Sequence, residues 1–142
     1  MRPMYESAFD RSNETSVSDI LSERWGCEFV KLPVSYHVDW MLMKGKKAIA
    51  FAELKARKVP SSQYPTLLLS LNKWIRGVEL SKATGVPFII IAKWTDGVFF
   101  FKPDFGPIQF GHGGRIDRND TQDMEPVVFI NVKDFKQVKE ST

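Results

Sequence analysis

The chain has 142 residues, 43% hydrophobic and 26% charged, with a formal net charge of +3. That size and balance describe one globular domain with a real core, and exclude a disordered chain or one crossing a membrane on an apolar helix. The single cysteine, Cys27, excludes an internal disulfide and a cysteine-rich zinc site, and the mild basicity fits a polyanionic partner without requiring one.

Residues 1–11 show no hydrophobic period and read as an irregular arm, with nothing resembling a secretory leader. Two helix starts follow. Ser12 and Asn13 are good N-caps, and Ser16 with Asp19 has the spacing of a capping box. The helix runs to Trp25, where Gly26 stops it. Val17, Ile20, Leu21 and Trp25 form its apolar stripe. A start at Asn13 sets Glu14 on that inward face; a start at Ser16 leaves Glu14 in the entering loop.

Residues 27–32 read as a short strand ended by Pro33. Two further strands, 38–43 and 47–55, flank a turn at Gly45. Their register decides which side chains meet. A strict two-residue hairpin at Gly45-Lys46 sets Asp39 opposite Ala52 and turns Glu53 to the other face. A three-residue turn, or one β-bulge, sets Asp39 opposite Glu53. The second register is preferred. It groups Met43, Met41, Asp39, Ile49, Phe51, Glu53 and Lys55 on one face, and Trp40, Leu42, Ala48, Ala50, Ala52 and Leu54 on the other. Both faces are apolar enough to be covered, and the small alanines suit a closely packed helix.

A proline-bounded loop over 59–65 leads to a predicted long helix, 66–84, stopped by Gly85. Leu67, Leu71, Trp74, Ile75 and Val78 make its core stripe, and Thr66, Ser70, Lys73 and Gly77 a polar and small one. The apolar run Phe88-Ile89-Ile90-Ile91-Ala92 reads as a central strand, and Asp96-Gly97 turns it into a hairpin with 98–101. Residues 103–124 form an irregular excursion with a short strand at 108–110; a last strand at 127–131 and one helical turn within 133–139 follow.

The stretch around Gly45 carries the chemistry. Asp39, Glu53 and Lys55 are ionisable groups inside segments that otherwise read as buried. A buried charge is costly unless it is paired or holds a metal. Hard divalent cations prefer carboxylate oxygens, and Mg²⁺ commonly takes only one or two from a protein. Glu53 and Lys55 share a face because they lie two apart on a strand. Lys55 is thereby placed to orient or deprotonate an attacking water, or to neutralise charge developing on phosphorus. A solvated ion pair at a strand end, with Asp39 capping a turn, is the plainer alternative.

Asp39, thirteen intervening residues and Glu53-Leu54-Lys55, set in the order helix, three strands, helix, strand, resembles the PD-(D/E)XK nuclease superfamily over residues 13–94. Val38 stands where the motif has proline. The resemblance implies an α/β fold with a restriction-endonuclease-like αβββαβ core: a mixed central sheet flanked by helices, with additional C-terminal strands. Residues 1–142 are then a single nuclease-like domain with its core over about 13–102 and an irregular tail over 103–142 that ends in the last strand. It further implies a metal-dependent DNA endonuclease. Asp39 and Glu53 become ligands of Mg²⁺ or Mn²⁺, the Leu54 backbone carbonyl a further ligand, Lys55 the catalytic lysine, and Glu14 the acidic residue many members carry on the first helix. A small basic nuclease without a separate recognition domain resembles the Holliday-junction-resolving and phage-type branches. That implies branched DNA as a substrate, a homodimer, no membrane, and a cytoplasmic location (the host cytoplasm if phage-encoded). The alternative is a non-catalytic nucleic-acid-binding or subunit-assembly module on the same fold.

Several positions border this site. Lys73 and Ser70, on the polar stripe of the long helix, are placed to contact the scissile phosphate; a solvated helix face is their other reading. Arg57 and Lys58 lie just beyond Lys55 and suit phosphate contacts. Gln63 and Tyr64 line the cleft by position alone. His37, His112 and the Gly111-His112-Gly113-Gly114-Arg115 run lack the spacing or flanking elements of a ligand set or P-loop.

Overall fold

The computed structural model describes residues 8–33, 38–103, 109–113 and 125–138. Among the described residues, two α-helices, α1 (Ala8–Trp25) and α2 (Leu71–Thr84), accompany nine strands. These are β1 (Glu28–Lys31), β2 (Trp40–Lys44), β3 (Lys47–Ala56), β4 (Thr66–Ser70), β5 (Phe88–Trp94), β6 (Gly97–Phe101), β7 (Gln109–Gly113), β8 (Glu125–Asn131) and β9 (Lys136–Gln137). A six-stranded sheet has the order β1-β2-β3-β5-β6-β9, and a three-stranded sheet the order β4-β8-β7. Among the described strands only β3 and β5 pair in parallel. The six-stranded sheet is therefore mixed, and its central strands carry the near-continuous apolar runs of strands covered on both faces.

Alternation along β3 sorts the core into two layers. Ala50, Ala52 and Leu54 join Leu42, Ile89 and Ile91 beneath Val17 and Leu21 of α1. Both α1 residues are fully buried, worth ~1.5–3 kcal/mol each, and they hold this helix to the sheet. Ile20, expected on the same stripe, is 39% exposed. On the opposite face Phe51 joins Phe88, Ile90 and Ala92 beneath Trp74 of α2, Leu67 and Leu69 of β4, and Val128 and Ile130 of β8. Glu53 and Lys55 point to this second face. Helix α2 reaches it at close range through Gly77. A Cβ at Gly77 would lie 2.5 Å from the ring of Phe88, which is itself 1% exposed and has no room to yield. Gly77→Ala will therefore lower the thermal midpoint, despite alanine's helix propensity, by an overpacking cost of ~1–3 kcal/mol read in chemical denaturation.

Three expectations change. Helix α1 begins at Ala8, so Ser12 and Asn13 lie inside it rather than at its cap. No glycine or proline interrupts the chain from Ala8 to Trp25, so nothing local stops the helix from extending that far. The irregular arm expected over 1–11 is helical from residue 8 onward, and residues 1–7 fall outside the described residues. The predicted helix 66–84 is strand β4 followed by α2, because Thr66–Ser70 pairs along its whole length with β8. Long-range pairing here overrides local propensity. The predicted turn within 133–139 is a 3-10 turn at Val132–Asp134 followed by β9. The αβββαβ order survives with β4 inserted before α2, and the extra C-terminal strands are β6 to β9.

The β2–β3 hairpin combines the two alternatives the sequence allows. Its turn is the tight one, pairing Lys44 with Lys47, with Gly45 at φ +63° in the left-handed region that glycine adopts without strain. A bulge between Leu42 and Met43 then shifts the register: Met43 faces Ala48, but Leu42 faces Ala50. Ile49 is the extra residue, and it packs on the α1 side instead of with Phe51. From the bulge onward Met41 faces Phe51 and Trp40 faces Ala52.

Candidate active site

One residue before Trp40, that register brings Asp39 across from Glu53. The Leu54 backbone N–H donates to Asp39 Oδ2 at 3.2 Å, and the Leu32 N–H donates to the Asp39 carbonyl at 2.9 Å. Asp39 is thus held on both sides just outside β2. The Leu54 side chain, 8% exposed in the α1-side layer, anchors the peptide that grips it.

Glu53 is fully buried. Its partners across β5 are apolar: Glu53 faces Ile90 and Lys55 faces Ala92. Compensation comes from two lysines. Lys73 Nζ of α2 donates to Glu53 Oε1 at 2.5 Å, and Lys55 Nζ lies 3.9 Å from the same oxygen. Glu53 Oε2 is buried with no hydrogen-bond partner among the described residues. Burial, reinforced by the negative charge of Asp39, raises the Glu53 pKa against the pull of Lys73 and Lys55. Burial also lowers Lys55, to about 8, aided by repulsion from Lys73 and Arg57 and opposed by Glu53 and Asp39. The mutual influence of Asp39, Glu53, Lys55 and Lys73 marks them as one electrostatic cluster.

These residues fit a hard divalent cation. Among the described residues no group of three or more histidine, cysteine or carboxylate side chains converges. Two carboxylates suffice for Mg²⁺ or Mn²⁺ when substrate and water complete the shell. A buried carboxylate oxygen without a partner is costly in a finished core, and reasonable where a cation completes it. Asp39, Glu53 and the adjoining Leu54 backbone are the residues that would hold the ion.

The bordering positions fall differently. Arg57 is exposed and donates to the Ala56 carbonyl at 3.0 Å, and its charge acts on Lys55. Lys58 and Gln63 are exposed, and the Gln63 N–H donates to the Pro60 carbonyl at 3.0 Å. The loop that carries them is pinned to the β5–β6 turn. The Ser61 N–H and Oγ–H donate to the Asp96 carboxylate at 2.8 and 2.6 Å, holding Asp96 below the usual carboxylate range, and the Thr95 N–H donates to the Val59 carbonyl at 3.1 Å. Tyr64 is 62% exposed. Ser70 is the last residue of β4 and gives α2 no side-chain cap, so it does not belong to a helical polar stripe. Glu14 falls within α1, but its side chain lies outside the described residues, as do His37 and the 114–115 end of the glycine-rich run. The direct Lys73–Glu53 contact was not legible from sequence. A cation next to Trp74, one turn before the small Gly77, was the available signal.

No curated protein sequence matches the chain. Among solved structures it is similar to Hjc, a Holliday junction resolvase from the archaeal hyperthermophile Archaeoglobus fulgidus. The TM-score is 0.58 at 16% identity, over 89% of this chain and 92% of that one. At that identity the likeness establishes the fold, a restriction-endonuclease-like mixed α/β architecture. The family described as "Phage putative PDDEXK endonuclease" matches residues 1–138. Matched over nearly its whole length, and folded with an acidic pair and a lysine at adjoining strand positions, the chain belongs to this phage-type PD-(D/E)XK endonuclease family.

Proposed function

We propose that the protein is a divalent-metal-dependent endodeoxyribonuclease, with residues 1–142 acting as a single nuclease-like domain. The observation that carries the reading is the buried, half-satisfied Glu53 carboxylate set against Asp39 and Lys55. Asp39, Glu53 and the Leu54 carbonyl hold Mg²⁺ or Mn²⁺, with Glu14 an assisting acid. When bound, the ion supplies positive charge at the scissile phosphate and makes water more acidic. Lys55 Nζ, with a pKa of about 8, accepts a proton from the attacking water or orients it. Water adds in line to phosphorus, the P–O3′ bond breaks, and the products are a 3′-hydroxyl and a 5′-phosphate. Arg57, Lys58, Gln63, Ser70 and the partly exposed ammonium of Lys73 supply contacts to the DNA backbone. The fold shared with a Holliday junction resolvase supports branched DNA as the substrate, and a homodimer that presents two sites to two strands. A cytoplasmic site of action, the host's if phage-encoded, is part of the same reading. Among the described residues, no helix is long and apolar enough to cross a membrane.

The test is cleavage of branched, linear and supercoiled DNA with Mg²⁺ and then with EDTA. Nicking that needs the ion and prefers branched DNA is expected. Binding without cutting under every metal condition would make the protein a binding module on a nuclease fold. Failure to bind DNA at any salt concentration would remove the nucleic-acid reading altogether.

A further inference from the structure

The two oxygens of the Glu53 carboxylate are treated unequally. Oε1 receives Lys73 Nζ at 2.5 Å and has Lys55 Nζ at 3.9 Å, while Oε2 is buried with no hydrogen-bond partner among the described residues. The two lysines also differ. Lys55 lies on the same strand as Glu53, so its grip follows every movement of β3. Lys73 comes from α2, a separate rigid element pressed onto β5 through Gly77 and Phe88. A carboxylate seized at one oxygen from a second element cannot rotate about its terminal bond without breaking a charged hydrogen bond. We propose that Lys73 is a positioning residue: it fixes the Glu53 carboxylate through Oε1 so that the bare Oε2 is presented as the metal ligand. This rests on the metal-site reading above and gives Lys73 a role beyond contact with DNA.

The sign of one measurement separates this role from plain electrostatics. Lys73 is a cation beside a cation site. If its charge were all that mattered, removing it would tighten metal binding. If it orients the ligand, removing it weakens binding, by about 10–100-fold for a lost outer partner of a ligating carboxylate. The experiment is calorimetric titration of the full chain with Mn²⁺, without DNA, in mildly alkaline buffer, with thermal midpoints recorded in parallel. Lys73→Met is expected to raise the Mn²⁺ dissociation constant about 10–100-fold. Lys73→Arg, which keeps a charged N–H donor, recovers most of the affinity. Should Lys73→Met fail to fold in metal-free buffer, Lys73→Gln replaces it and shows a smaller loss in the same direction. Wild-type or tighter affinity in the charge-removing variant overturns the proposal. So does full recovery of its affinity on raising the pH, which would trace the loss to proton competition at Glu53. Wild-type protein that binds no Mn²⁺, or Asp39→Asn that binds it as wild type does, overturns the metal-site reading and this proposal with it.

Discussion

Lys55→Met will lower the single-turnover cleavage rate by about 10²–10⁴-fold while leaving DNA and metal binding close to wild type. The expectation rests on where the amine sits. Lys55 lies one alternation beyond Glu53, its Nζ 3.9 Å from Oε1, with its side chain 19% exposed. That position reaches the acidic pair without supplying an oxygen ligand. Burial and the neighbouring Lys73 and Arg57 bring its pKa down to about 8, so a useful fraction is neutral near physiological pH. The wild-type rate should rise with pH and level off as Lys55 deprotonates. The variant should lack that inflection. An unchanged rate or an unchanged pH profile would exclude Lys55 as the proton acceptor.

The same shift carries a stability consequence, and its sign can be worked out. Lys55 has an ordinary pKa of 10.5 that folding lowers to about 8. Below about 8 the lysine is charged in both states, and the folded state bears the full cost of that buried charge. Between about 8 and 10.5 the folded chain sheds the proton first, so stability rises with pH across that window. At roughly 1.4 kcal/mol per unit, the drop from 10.5 to about 8 costs at most about 3.5 kcal/mol. Lys55→Met removes it, and metal-free protein should gain about 1–3 kcal/mol at neutral pH in denaturant titration. Loss of cutting with a gain in stability is the signature of a functional charge. A solvated surface pair would change neither by more than about 1 kcal/mol.

Much of this site was legible in the chain, because buried charge is conspicuous in sequence. Asp39 between Val38 and Trp40, and Glu53 and Lys55 after the uncharged run from Ile49 to Ala52, stand out against apolar neighbours. The hairpin was legible only as a pair of alternatives. Gly45 announces a tight turn, and a tight turn alone would have set Asp39 against Ala52. The bulge that restores the pairing has no residue signature here. Ile49 is an ordinary strand residue, and as the extra residue it packs on the α1 side together with Leu42 and Ala50. Local pattern also failed at Thr66–Ser70. Leu67, Leu68 and Leu69 suit a helix as well as a strand, and β8, some sixty residues later, decides the matter. Contacts set by packing between distant elements leave little trace in local sequence. The Lys73–Glu53 pair is of that kind, since it depends on how closely Gly77 lets α2 approach β5.

Asp39→Asn and Asp39→Ala should both abolish the metal response and yet separate in metal-free stability. Asp39 does two things. Its Oδ2 accepts the Leu54 N–H at 3.2 Å, and its charge raises Glu53. Alanine removes both and leaves a part-buried backbone N–H unpaired, a cost of ~1–3 kcal/mol. Asparagine keeps a carbonyl oxygen for Leu54 and removes only the charge, which relieves Glu53 of a like-charged neighbour. Metal-free Asp39→Asn should therefore be at least as stable as wild type, and Asp39→Ala less stable. With Mg²⁺ the order changes. Wild type should gain ~2.7 kcal/mol when the ion is at one hundred times its dissociation constant, and both variants should gain almost nothing. Cleavage should fall at least ~10²-fold in each, since one of two carboxylates that place charge at the phosphate is gone. Thermal midpoints with and without Mg²⁺ read the first effect, and single-turnover cleavage reads the second. Asp39→Asn that keeps the Mg²⁺-dependent rise would mean that Asp39 only supports the Leu54 peptide, and would overturn the two-carboxylate metal site.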